Sequence, residues 1–163
     1  MAVEDKYVDA TVAAGKLGKA SLTSGDKIVV MVNTEEIAAA DDDGSVYRFF
    51  KNVPANLIPV EITVACDAIT SGTDFDLGLY KPNLGAVVDK DVLMDGQTLG
   101  SALTRATGHQ LGLANVNIAD AGKTLATLSA QTDPDQAYDI ALTANTVGSG
   151  AGTVTIIAKF IQG

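Results

Sequence analysis

From residue 27 onward this chain is built of short segments that alternate apolar and polar residues, each closed by Gly, Asp, Asn or Pro. Successive side chains on a strand point to opposite faces, so a period of two is what a strand with one buried face requires. Between Ile58 and Ile69 the residues Ile58, Val60, Ile62, Val64 and Cys66 share one face, and Glu61, Thr63 and Asp67 the other. Phe75, Leu77 and Leu79 alternate with Asp74, Asp76 and Gly78. Tyr138, Ile140, Leu142 and Ala144 alternate with Asp139 and Thr143. Beyond the Gly148–Gly152 turn, Val154, Ile156, Ala158 and Phe160 alternate with Thr153, Thr155 and Lys159, which predicts a C-terminal hairpin.

The β-branched run Ile28–Val32 and the segment Ser45–Phe50 add two strands, joined across Asp41-Asp42-Asp43-Gly44 by a hairpin-type turn. Ala86–Met94 reads as an edge segment blunted by Asp89, Lys90 and Asp91. Six or seven such strands predict a mainly β fold, an antiparallel two-sheet β-sandwich that is jelly-roll-like, with one or two short helices inserted between strands. The helices are expected within residues 95–132, where the rhythm breaks. Leu99, Ala102, Leu103 and Ala106 suit one, and Asp120 is placed to cap a second in which Leu125 and Leu128 share a face. Residues 1–25, small and polar and punctuated by Gly15, Gly18 and Gly25, read as an N-terminal arm, and residues 26–163 as the sandwich domain.

Composition removes several functions. With one cysteine, Cys66, and one histidine, His109, the chain has no internal disulfide, and the Cys and His ligands of structural zinc or iron–sulfur sites are missing. A formal net charge of −9 repels phosphate backbones and anionic lipid, so neither nucleic acid nor a membrane is an expected partner. The N-terminus Met1-Ala2-Val3-Glu4-Asp5-Lys6 lacks the pattern of a secretory leader, and no apolar run approaches the ~20 residues of a membrane span. Synthesis in a cytoplasm is expected.

The carboxylate clusters read as turns and strand faces. Asp41-Asp42-Asp43-Gly44 misses the EF-hand spacing, since the first ligand position of such a loop would fall on Ala39. Asp74 and Asp76 share a strand face and are expected to face solvent; a hydrolase would need them, or two other acids, facing each other in a cleft. Asp133-Pro134-Asp135 and Asp89-Lys90-Asp91 suit a turn and an edge. Gly148–Gly152 is followed by a strand and lacks the Lys-Ser/Thr of a phosphate loop. Cys66 falls on an apolar face, as a core thiol does, and His109 sits in a loop with no catalytic setting. No cofactor, metal site or catalytic residue is expected, and the chain reads as a binding protein, not an enzyme.

At Asp42-Asp43-Gly44-Ser45-Val46-Tyr47-Arg48-Phe49-Phe50 the sequence resembles a family of tailed-bacteriophage head structural proteins of the capsid decoration, or cement, type. The likeness continues through Gly72–Tyr80, through Gly85–Asp89 to Asp95-Gly96, and ends with Tyr138–Gly148. These four blocks occur in order with similar spacing over approximately residues 40–163, whereas residues 1–25 and 97–117 carry no clear likeness. The resemblance implies a sandwich that binds the outer surface of an assembled head and braces major capsid protein subunits, as a homodimer or homotrimer on a symmetry axis of the virion. It carries over no functional residues. From the residues themselves, the contact candidates are Tyr7, Val8, Val12, Lys16, Leu17 and Lys19 in the arm, and Ile157 and Ile161 on the outward face of the last strand. An alternative, a fibre or tail-associated carbohydrate- or receptor-binding sandwich, requires Tyr47, Tyr80 or Tyr138 exposed in one groove. Tyr138 counts against it, because it alternates with Ile140 and Leu142 on the inward face.

Overall fold

The computed structural model describes residues 28–131 and 135–162. Seven strands form two antiparallel sheets: β1 (Val29–Ile37), β2 (Ser45–Pro54), β3 (Leu57–Cys66), β4 (Asp74–Tyr80), β5 (Val87–Gln97), β6 (Ala137–Thr146) and β7 (Gly152–Gln162). One sheet has the order β1-β7-β3 and the other β2-β6-β4-β5. The predicted β-sandwich is what forms. Between the sheets the core closes on Phe75, Leu77, Leu79, Tyr138, Ile140 and Leu142 from one side, and on Ile37, Ile62, Val64, Val154, Ile156 and Phe160 from the other, all fully buried. Each such side chain contributes roughly 1.5–3 kcal/mol of hydrophobic stabilisation.

The strand orders are those of a jelly roll with its sixth strand replaced. An eight-strand jelly roll pairs 1-8-3-6 against 2-7-4-5. Here the segment between β5 and β6 lies where the sixth strand would, along the free edge of β3. Cys66 and Leu103 exchange backbone bonds, the Val64 N–H donates to Gly108 O, and the Gln110 side chain accepts from the Ile62 N–H while donating to Val60 O. An edge that would otherwise expose unpaired donors and acceptors is thereby covered without a regular strand.

This corrects the first predicted helix. Leu99 and Leu103 are strand-edge contacts, because their backbones bond to Ile69, Gly72 and Cys66 in place of forming i→i+4 bonds. A four-residue helix α1 (Leu125–Leu128) does form, but its cap is Thr124, whose side chain accepts from the Thr127 N–H. Asp120 instead ends a short 3-10 turn, Ile118–Asp120.

Two turns were also expected to close hairpins and do not. Asp41–Gly44 carries the chain from β1 to β2, and Gly148–Gly152 from β6 to β7, each crossing between the sheets. Alternation specifies which face of a strand is buried and leaves open which edge it pairs along. A third correction lies in β3. Its register with β7 jumps from Pro59↔Phe160 to Glu61↔Lys159, so Val60 is a bulge residue, Pro59 turns inward, and Ile58 and Val60 are displaced from the core face. A similar irregularity in β2, between Arg48 and Phe50, lets the consecutive rings Phe49 and Phe50 both go inside, edge to face at 6.5 Å.

Candidate functional site

Strands β2, β4, β5 and β6 carry most of the four resembling blocks, and on the outer side of their sheet these blocks meet in two polar clusters. Arg48 of β2 donates through Nη1 to Asp139 Oδ2 at 2.8 Å and to Lys81 O at 2.9 Å, and through Nη2 to Gly85 O at 2.7 Å. Its guanidinium also stands over the Tyr80 ring, 5.1 Å from the centroid. Asp139 accepts a further bond from the Asn52 N–H, and the Tyr80 hydroxyl pairs with Thr143 Oγ1 at 2.6 Å.

Farther along the sheet, Asp76 accepts from the Gly96 N–H, from Asn145 Nδ2 at 2.6 Å and from Lys90 Nζ at 3.1 Å. Asn145 also donates to Asp74, and Lys90 to Asn145 Oδ1. Burial opposes ionisation of Asp76, but its donors outweigh that penalty and hold its carboxyl below the usual range. The hydrogen bond to Asp76 raises Lys90 correspondingly.

Asp76 was expected to face solvent and is instead 1% exposed. The reason is β5, whose register with β4 passes from Leu79↔Asp89 to Leu77↔Met94. The surplus residues fold across β4 at Gly78, where a Cβ would run into the Asp89 carbonyl and the Lys90 backbone. Asp74 and Asp76 are therefore both committed to Asn145 and do not face each other across a cleft.

The other polar candidates are also structural. Asp41 accepts from the Ala38 N–H and the Tyr47 hydroxyl, and Asp43 from the Val147 N–H, so this acidic run ties two crossings together. Burial, then the hydrogen bond and charge of Asp41, push the Tyr47 hydroxyl well above its ordinary pKa. Gly148, Gly150 and Gly152 lie against the Ile69–Gly72 turn, where Thr70 and Ile69 leave no room for side chains. Cys66 is buried with its thiol pushed up by desolvation, and His109 is exposed, 3.7 Å from Glu61. Among the described residues no cluster of three or more His, Cys, Asp or Glu is placed to hold a metal ion, and no helix is long and apolar enough to cross a membrane. Tyr80 and Tyr138 are buried and Tyr47 is half-buried, so the exposed tyrosine groove of the carbohydrate reading does not form.

Two surfaces remain. The first is the outer face of the three-stranded sheet. There Ile157 stands between Val32 and Thr63, and Ile161 pairs with Ile58, while Lys159 and Glu61 form an ion pair at 2.9 Å between those rows. Ile28, Val30 and Val32 are more than half exposed along the β1 edge, and Ile157 and Ile161 are partly so. On the β3 side the face continues through Val60 into a groove of about 270 Å³ lined by Leu113, Val116 and Ile118. These contacts rest on tertiary pairing and the β3 bulge, so of this set the sequence singled out Ile157 and Ile161 alone. The arm candidates Tyr7, Val8, Val12, Lys16, Leu17 and Lys19 lie outside the described residues.

The second surface is the tip of the β4–β5 hairpin. Pro82–Gly85 is a tight turn closed by the Gly85 N–H on Pro82 O, with Asn83 at φ 58° and Leu84 at φ 60°. Two positive φ values make it a type I′ turn, whose second central position favours Gly. A leucine in that conformation costs roughly 1–2 kcal/mol. Leu84 is nevertheless 82% exposed.

No family model matches the chain. No curated protein matches it. Among solved structures it is similar to a chain of "Cyanophage Pam1 capsid asymmetric unit", with 14% identity, a TM-score of 0.48, and coverage of 93% of this chain and 96% of that one. It is also similar to a chain of "Capsid of Ralstonia phage GP4", with 19% identity, a TM-score of 0.41, and coverage of 83% and 85% respectively. Both neighbours are chains of phage capsid structures.

Proposed function

We propose that this protein is a capsid decoration protein, which binds the outer surface of an assembled phage head and stabilises contacts between major capsid protein subunits. Its role is binding, not catalysis. The observation that carries this reading is the ordered set of four blocks resembling head structural proteins, together with the way the structure uses them. Arg48, Asp139, Tyr80, Asp74, Asp76 and Asn145 of these blocks bond to one another within the outer sheet, which supports assigning the contact surface to the opposite sheet.

The outer face of the β1-β7-β3 sheet supplies what a lattice binder needs. It presents the exposed aliphatic row Ile28, Val30 and Val32 beside Ile157 and Ile161, and two of its polar groups, Glu61 and Lys159, already satisfy each other. A binder that occupies many equivalent sites works with modest contacts at each, because linked engagement raises effective concentration. The net charge of −9 assigns any electrostatic component of docking to basic groups on the partner.

Purified heads assembled with and without the protein test this reading. Decoration requires copy numbers in the hundreds on intact heads, and heads that burst more readily without it. A dozen copies or fewer indicates a fibre or connector, and no association defeats the proposal. Deleting residues 2–20 tests the arm in the same assay: reduced occupancy by a still-folded domain supports its contact role, and unchanged occupancy removes it.

A further inference from the structure

We propose that Leu84 is a preorganised anchor which inserts into an apolar pocket on a capsid subunit, a contact separate from the β1-β7-β3 face; the identity of the partner rests on the capsid-binding reading above. Two observations converge on this residue. Its backbone occupies the left-handed region, where Gly or Asn is accommodated and a leucine is strained. Among the described residues its side chain recovers little from the fold, since it is 82% exposed, and so packing there does not offset the strain. Strain of this kind is characteristic of positions held for a binding purpose.

The turn is also held rigidly from below. Arg48 donates to the carbonyls of Lys81 and Gly85 on its two sides, and the Lys81 N–H donates to Ala86 O across its base. Arg48 is in turn fixed by Asp139. A side chain presented on a clamped turn loses little freedom on docking, which is the condition for a small contact to contribute fully to affinity.

The shape selects the kind of partner. One aliphatic side chain on a tight projecting turn, beside a shallow hollow bordered by Val46 and Lys51, fits a pocket better than a flat sheet. Charge argues for a different protein over a second copy, because each copy carries a net charge of −9 and two would repel as they approach.

The test uses heads assembled without the protein, to which the full-length wild type and the variants L84G and L84N are added back. Both variants relieve the left-handed strain. Each is expected to melt at the wild-type temperature or above it and to bind heads at least tenfold more weakly. A variant that binds heads as tightly as the wild type overturns the anchor while leaving the capsid reading intact. A wild type that itself fails to bind heads overturns the capsid reading and the anchor's partner with it. Variants that melt clearly lower show the leucine holding the turn, which also overturns the proposal. A wild-type dimer in sedimentation that L84G abolishes assigns the leucine to self-association and overturns the choice of partner.

Discussion

Arg48 joins parts of the chain that are far apart in sequence, and removing it exposes the cost of that arrangement. Its side chain and that of Asp139 are 10% and 2% exposed, so Arg48→Ala strands a buried carboxylate and frees two loop carbonyls. The expected loss is about 3–5 kcal/mol of stability in a denaturant titration. Arg48→Lys is expected to restore only part of it, since an ammonium cannot reproduce the forked contact to three acceptors.

Thr63 is the reverse case. Its Oγ1 is buried and has no hydrogen-bond partner among the described residues. Thr63→Val keeps the shape and removes the stranded hydroxyl, so the variant is expected to be as stable as the parent or about 1 kcal/mol more stable in the same titration. The sequence placed Thr63 opposite the core face of its strand, but gave no sign of its burial.

At the level of elements, the fold of β5 over β4 accounts for a pH dependence that neither strand has alone. The unfolded chain protonates Asp76 near the ordinary value of about 3.9, whereas the folded chain takes up that proton only at lower pH. Between those values the unfolded state holds more protons, so stability rises with pH and is lost as pH falls through the folded pKa. Asp41 and Glu61, each lowered chiefly by a side-chain hydrogen bond, to Tyr47 and Lys159 respectively, act in the same direction. Unfolding followed below about pH 4 is therefore expected to show a steep acid limb, less steep in Asp76→Asn. A parallel slope in both proteins removes Asp76 as a contributor. Gly78→Ala tests the crossing itself: with β5 backbone against the added carbon, it is expected to cost about 1–3 kcal/mol, as overpacking does.

For the whole molecule, the sandwich leaves its two outer faces unlike each other. One carries polar clusters partly covered by β5, and the other is open along β1, where Ile28, Val30 and Val32 are more than half exposed, but closed over Thr63 of β3. If the second face docks, Ile157→Asp places a charge at its centre, between Val32 and Thr63, and is expected to weaken head binding at least tenfold. Unchanged occupancy and unchanged sedimentation would together show that this face is no interface.

Alternation located β3, β4, β6 and β7 and, outside the β3 bulge, their core faces, because a period of two is a local property of a strand with one buried face, while β-branched and edge composition located the others. Composition likewise determined the absence of a disulfide framework. Only the tertiary structure decided which strands became neighbours, that residues 99–110 complete a sheet edge in place of a helix, and that Asp76 is enclosed instead of solvated. Each of these depends on contacts between segments distant in sequence, such as Leu103 with Cys66 and Asp76 with Asn145. The surfaces follow the same division: the outward position of Ile157 was legible from its strand, whereas the exposed, left-handed Leu84 emerged only once Arg48 had been brought beneath its turn.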